Sequence, residues 1–277
     1  MDKIALVTGH CIPRIICKYF PIDSNLLKSL DGNYLWFSDP QDFNDPYDCN
    51  LLFDTDNNAR EIRDFITREK LRKLRVGDAK LLQNNTDELV NRFLRNPNGL
   101  RKALHAISKR FIDNYGICCF SEDPYELLLW SHYADKHRGV CIKFDINQDL
   151  DFFRFPLKVD YPANYPLFNY IRASLNPSPS QMTIQFFFAT KPYNYRYETE
   201  VRIIKENATS TPHRGAIKFR KEALIEVVFG YKTSNQQMKE LHDLITSHGY
   251  NPKFSVAVLK DSDFGLETRN YRKWGVP

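Results

Sequence analysis

The segment YRYETEVRII, Tyr195–Ile204, carries two carboxylates two residues apart, Glu198 and Glu200, in a strictly alternating run. Arg196, Glu198, Glu200 and Arg202 share one parity, while Tyr197, Thr199, Val201 and Ile203 share the other. On a strand, residues i and i+2 lie on one face. The run therefore predicts a strand with one charged face and one face against a core. A carboxylate pair held on a strand suits general acid–base work, or stabilisation of an oxocarbenium-like cation, because both need a carboxylate fixed near the reacting carbon. The structural alternative is that the flanking arginines neutralise both acids.

Two other constellations bear on chemistry. Trp130-Ser131-His132-Tyr133, followed by His137, reads as helical, and Trp130 and Tyr133 would share a face. Aromatic rings with a neutral imidazole suit the wall of a nicotinamide or adenine pocket, although core packing explains such rings equally well. No Ser or Cys partner for His132 suggests a nucleophilic triad. Ser38-Asp39-Pro40 and Phe43-Asn44-Asp45-Pro46-Tyr47-Asp48 form a polar segment after a strand. Asp and Asn beside Pro are turn formers, yet loops after strands also hold ligands. Asp45 and Asp48 offer oxygen ligands, but no calcium-loop pattern is present. The basic run Arg68–Arg75, with Leu71 and Leu74, reads as the solvated face of a helix, with nucleic-acid contact as the alternative.

Strands that would position these groups are RIICKYF, YLWFS, GICCFS, VCIKFD, FRFPLKVDY, AIKFR, LIEVVFG and FSVAVLK. Helices are expected at SNLLKSL with Ser24 as cap, at PYELLLWSHYA with Pro124 near its start, and at SNQQMKELHDLITSHGY capped by Ser234. QMTIQFFFAT fits either a strand or a buried helix. Residues 58–115 read as a charged helical insertion, interrupted at Pro97-Asn98-Gly99. NPSPSQ, Asn176–Gln181, reads as a surface loop. The opening IALVTGH has a single Gly where a dinucleotide-binding G-x-G-x-x-G needs three. The fold class expected is α+β: one domain over residues 1–277, with a mixed, mainly antiparallel sheet.

With 20 Phe, 15 Tyr and 3 Trp the chain can build a substantial core, so disorder is excluded. A net charge of +5 falls short of a dedicated nucleic-acid binder and favours an anionic small molecule. The six cysteines form no CxxC pair and no zinc-type cluster with His, which points to buried thiols. No stretch reads as a signal peptide or membrane span, so a cytoplasmic location is the expectation.

Three separated motifs, WFSDPQDFNDPYD, CFSEDPYELLLWSHYADKHRGVCIKFD and YRYETEVRII, resemble in order the bacterial domain of unknown function 2971 family, over roughly Ile15 to Gly230. The order of elements also resembles the ADP-ribosyltransferase fold. That likeness implies NAD as substrate, with Glu200 as catalytic carboxylate, Glu198 engaging the acceptor and Ser38 as the second-strand polar residue. Lys18, beside Tyr19, would stand where that fold carries Arg or His, and Arg202 where it carries an apolar residue. Lys18, Tyr19, Trp36, Asn44, Asp45, Trp130, His132, Tyr133 and Arg202 are the residues expected around the dinucleotide. No metal is implied. The acceptor would be protein, nucleic acid or water, and a toxin or defence role would fit. A non-catalytic module binding nucleic acid or protein is the competing expectation, and metal-dependent hydrolysis by Asp45, Asp48 and His132 a third.

Overall fold

The computed structural model describes residues 11–73, 85–175, 181–206 and 214–271. IALVTGH, the loop at 176–180 and the end of the basic run at 74–75 lie outside them. Strand β1 (Ile15–Phe20) leads into helix α1 (Ser24–Asp31). The α1 cap is Asp23, one residue before the expected serine, and its carboxylate accepts from the amides of Asn25 and Leu26. Strand β2 (Tyr34–Ser38) is followed by a 3-10 turn at Pro40–Asp42, an irregular loop and the short β3 (Leu52–Phe53). The expected helical region is present as α2 (Ala59–Lys73), α3 (Thr86–Arg95) and α4 (Pro97–Ile112). Pro97 sits in the first turn of α4, where a missing N–H leaves no bond unmade.

Next come β4 (Tyr115–Ser121), α5 (Leu127–Tyr133), β5 (Val140–Asp145), β6 (Leu157–Lys158), β7 (Leu167–Phe168), α6 (Tyr170–Leu175) and α7 (Gln181–Phe188). The apolar run at 181–190 is thus a helix. Only Leu157–Lys158 of FRFPLKVDY pairs as a strand, although the Val159 amide continues the line by donating to the Glu200 carbonyl. The chain ends with β8 (Glu200–Glu206), β9 (Arg214–Lys218), β10 (Leu224–Phe229), α8 (Asn235–Ser247), β11 (Lys253–Leu259) and β12 (Leu266–Asn270). Ser234 and Gln237 form a reciprocal capping box on α8.

Ten of the described strands form one sheet, with the order β12-β11-β10-β5-β1-β4-β2-β9, while β8 pairs β4 and β6. Its pairs are antiparallel except β10–β11, which α8 connects as a crossover. Alternation sets the two faces. On β5, Val140, Ile142 and Phe144 join the core under α1 and α8, while Cys141 turns to the smaller core under α5. A third core holds the helical region against β4, through Phe65, Leu104, Phe187 and Ile117 among others.

One irregularity positions the site. β8 occupies one edge of β4 along its whole length, from Tyr115↔Glu206 to Ser121↔Glu200. On the other edge β2 touches β4 only at Ser38↔Ile117, and β1 only at Cys17↔Ser121. The sheet therefore forks there, with Cys119 in the gap. The Cys119 carbonyl, which has no ladder partner on that edge, accepts from Lys18 Nζ at 2.8 Å.

A second feature fixes the α5–β5 connection. Asp135, Lys136 and His137 are consecutive left-handed residues, with φ of 45°, 55° and 69°. Such residues each cost roughly 1–2 kcal/mol and persist only where their surroundings over-determine them. Here the His137 amide donates to the Trp130 carbonyl, Gly139 to Ala134 and Lys232 to His137. The turn lies so close to β10 that a Cβ on Gly230 would sit 2.1 Å from the His137 carbonyl oxygen. Gly230→Ala is therefore expected to destabilise the protein by about 2–4 kcal/mol, read as a fall in urea midpoint. An unchanged midpoint would show that this contact tolerates a side chain.

Candidate functional site

A cavity of about 220 Å³ occupies the fork. β1 supplies Lys18 and Tyr19, β2 supplies Trp36 and Ser38, and the loop after β2 supplies Phe43, Asn44 and Asp48. Tyr133 enters from α5, Lys191 from the segment after α7, and Glu198, Glu200 and Arg202 from the segment around β8. Nine residues expected around a dinucleotide site thus line one hollow: Lys18, Tyr19, Trp36, Ser38, Asn44, Tyr133, Glu198, Glu200 and Arg202.

Three others do not. Trp130 is fully buried, with its indole N–H donating to the Pro124 carbonyl, and it backs the cavity by packing edge-on against Tyr19 at 5.2 Å. His132 is exposed on α5 beside Tyr133 and does not line the cavity. Asp45 lines a neighbouring chamber instead. Metal-dependent hydrolysis by Asp45, Asp48 and His132 consequently has no common centre: Asp45 and His132 do not share either chamber. Among the described residues no group of three or more His, Cys, Asp or Glu is placed to hold a metal ion.

The carboxylate pair does not lie on one strand. Residues Tyr193–Glu198 form a 3-10 turn, Thr199 adopts a left-handed conformation at φ 40°, and β8 begins at Glu200. The turn is secured where the Thr199 carbonyl accepts from the Glu122 amide and its hydroxyl meets Ser121 Oγ at 3.1 Å. From β8 onward the expected alternation holds, with Val201 and Ile203 in the main core and Glu200 and Arg202 on the opposite face. That face is buried as well, because the 39–51 loop and the end of α7 cover it: Arg202 is 0 % exposed and Glu200 5 %.

Arg202 governs the site. Nε and one Nη donate to the two oxygens of Glu200 at 2.8 and 2.9 Å. Both Nη atoms donate to Asp48 at 2.7 Å, and one also reaches the Phe188 carbonyl at 2.8 Å. These five bonds match the five N–H groups of a guanidinium. Of the flanking arginines considered as neutralisers, only Arg202 acts so; Arg196 stacks over Tyr193 and donates to its carbonyl. Glu198 is neutralised by Lys191, a cation that pattern reasoning missed, at 2.6 Å, and it accepts from the Tyr133 hydroxyl at 3.1 Å. Lys191 also stands 3.7 Å from Glu200 and 3.9 Å from Asp48. One signal for it existed: Lys191 is the only charged residue between Arg172 and Arg196.

Three carboxylates therefore face two cations, leaving one negative charge over. The two glutamates divide it unequally. Burial pushes the Glu198 pKa up, and Lys191 only partly offsets that. Burial acts upward on Glu200 too, but the Arg202 guanidinium outweighs it and holds the carboxyl at about 2. For Lys191, burial alone would favour the neutral amine, yet Glu200 and Glu198 hold the ammonium above its usual range. Burial likewise raises the Tyr133 hydroxyl, with Glu198 adding to it, so this phenol stays a donor. Two carboxyls pushed apart in this way can divide chemical roles, one protonatable and one fixed as an anion.

Arg202→Met would leave Glu200 and Asp48 buried with only the more distant Lys191 ammonium as counter-ion, and is expected to cost about 3–5 kcal/mol by urea unfolding. Arg202→Lys should restore only part, since an ammonium cannot make two forked contacts. Stability also follows Glu200. Its folded pKa of about 2 lies below the ordinary 4.5, so its ionisation stabilises the fold above pH 4.5 and that contribution disappears as pH falls toward 2. Urea midpoints recorded across this window should decline with acidity; a flat profile would contradict the buried pairing.

No helix among the described residues is long and apolar enough to cross a membrane. No curated protein and no solved structure matches the chain significantly. The WFSDPQDFNDPYD motif lies outside the one matched family segment, whereas most of the α5–β5 motif and YRYETEVRI fall inside it. From Leu129 in α5 to Ile203 in β8, residues 129–203, the chain matches the family described as Protein of unknown function (DUF2971).

Proposed function

We propose that the chain is an NAD-using enzyme resembling ADP-ribosyltransferases, which breaks the nicotinamide–ribose bond and passes the ADP-ribosyl group to water or another acceptor. The observation that carries this reading is the meeting of Glu198, Glu200, Ser38, Trp36 and Lys18 at one cavity. Breaking the C1′–N bond sends its electron pair to nicotinamide and leaves an oxocarbenium-like ribosyl cation. Glu200, held ionised by Arg202, supplies a fixed negative charge to that cation. Arg202 takes one acceptor position on each Glu200 oxygen, and a carboxylate oxygen has a second. A ribose hydroxyl can bind there without displacing the arginine. Glu198, whose pKa is raised, takes the proton of the attacking water or acceptor hydroxyl as the new C1′–O bond forms. These roles keep the assignment that the ADP-ribosyltransferase likeness implies, with Glu200 at the cation and Glu198 at the acceptor. A half-exposed Trp36 offers a face for a heteroaromatic ring. At about 220 Å³ the cavity is smaller than the ~300–1,000 Å³ of typical ligand sites, so it suits the nicotinamide riboside portion, with the rest of the dinucleotide outside.

Saturation of the Arg202 donors favours a second reading, in which the charged cluster is a structural lock and the cavity binds a ligand without turnover. Nicotinamide release separates the two. Glu198→Gln is expected to lower NAD turnover by about 100-fold or more while NAD still raises the melting temperature. The wild-type rate should rise with pH through an acid limb above pH 4.5, since the base must be deprotonated and its pKa is raised. Saturable NAD binding with no nicotinamide released, whether water, protein or nucleic acid is offered as acceptor, would leave the binding reading standing; no binding at all would remove both.

A further inference from the structure

A second chamber, of about 340 Å³, lies on the far side of Phe43 and Asp48, between the 40–51 loop and α4. Its volume falls within the ~300–1,000 Å³ typical of small-molecule sites. Phe43 and Ile112 contribute apolar wall, and His105, Lys109 and Asp113 line it from α4. Its unusual member is Asp45. This residue is 97 % buried by its 3 % exposure, and its Oδ2 has no hydrogen-bond partner. Its Oδ1 accepts from the Tyr47 amide. Lone buried carboxylate oxygens carry the full cost of desolvation, so their persistence calls for a reason.

Charges around the chamber point to the missing partner. Asp113 is met by Gln41 at 2.6 Å and by Lys109 at 3.5 Å. Asp48 is committed to Arg202. His105 adds no positive charge at neutral pH, because burial and then Arg101 depress its pKa. Of the three acidic residues that line the chamber, Asp45 is the one with no ion pair to a described residue. We propose that this chamber is a binding site for a compact organic cation, a guanidinium or primary ammonium group, with Asp45 as its counter-ion.

The geometry also joins this site to the first. Asp45 and Asp48 belong to one turn, closed where the Asp48 amide donates to the Asp45 carbonyl at 3.1 Å and followed by Cys49 in a left-handed conformation at φ 52°. One carboxylate of the turn serves the second chamber and the other grips Arg202. A cation drawn onto Asp45 thus pulls on the same four residues that hold the Arg202–Glu200 pair.

The test uses methylguanidinium and its neutral analogue methylurea as probes, followed by ligand-observed NMR on the whole chain without NAD, so that its outcome is independent of the glycosyl-transfer reading. Wild-type protein should bind methylguanidinium saturably and methylurea at least about tenfold more weakly. Asp45→Asn should lose at least about tenfold in methylguanidinium affinity while unfolding at an equal or higher urea concentration, because it removes an uncompensated buried charge. Absence of saturable binding, equal binding of the two probes, or unchanged affinity in Asp45→Asn would overturn the proposal. So would a lower urea midpoint for that variant, since it would mean the carboxylate already has a stabilising partner inside the fold.

Discussion

A guanidinium without access to water must satisfy five N–H groups and a full positive charge, or the fold cannot bury it. Arg202 meets that demand with Glu200 on its own strand, Asp48 from a loop 154 residues earlier, and the Phe188 carbonyl at the end of α7. Three stretches remote in sequence are thereby pinned to one point. Their convergence closes the charged face of β8 from solvent and converts what alternation alone would leave as a wet sheet surface into the wall of a cavity. Lys191 completes the arrangement by drawing Glu198 out of line with the strand. The cluster thus adds to the Thr199 bonds that secure the turn before β8, and it ties the 39–51 loop to the sheet.

The energetics of such a cluster are double-edged. Desolvating five charged groups is expensive, and apolar replacements of similar volume often match or exceed a buried ion pair in stability. A cluster that a hydrophobic core could replace is better explained by what its charges do. Within the cluster the carboxylates outnumber the cations by one, and Lys18 in the same cavity lining restores the balance. Burial raises the Glu198 pKa, while the Arg202 guanidinium holds the neighbouring Glu200 carboxyl at about 2. A transient cation would be favoured beside the two glutamates, and a phosphate group beside Lys18.

Much of the scaffold was legible in the chain because short-range rules decide it. Period-two alternation placed β1, β2, β4, β5, β10 and β11, and turn and cap chemistry placed α8 and the break before α4. The meeting of Ser38, Trp36 and Glu200 at one hollow was implied by the fold resemblance and not by any local pattern. What failed to appear in the pattern has a common cause. Thr199 in a left-handed turn breaks the parity of an otherwise regular run, so Glu198 and Glu200 meet by a reversal of the chain and not by sharing a strand face. Lys191 gains its role from tertiary packing, which leaves no local periodicity. Trp130 and His132 were drawn toward the site by their chemistry, yet helix α5 turns the first into a core and the second to solvent. Tyr133 alone of that motif faces the cavity.

The parting of β1 and β2 along one edge of β4 has a mechanical meaning. Beside Cys119 the main-chain ladder lapses between the Cys17↔Ser121 and Ser38↔Ile117 pairings, and the Lys18 ammonium takes the carbonyl left over. Releasing that ammonium would free one carbonyl at the cavity, while the Cys17↔Ser121 and Ser38↔Ile117 pairings and the apolar layer of Ile16, Phe37 and Phe120 hold the strands together.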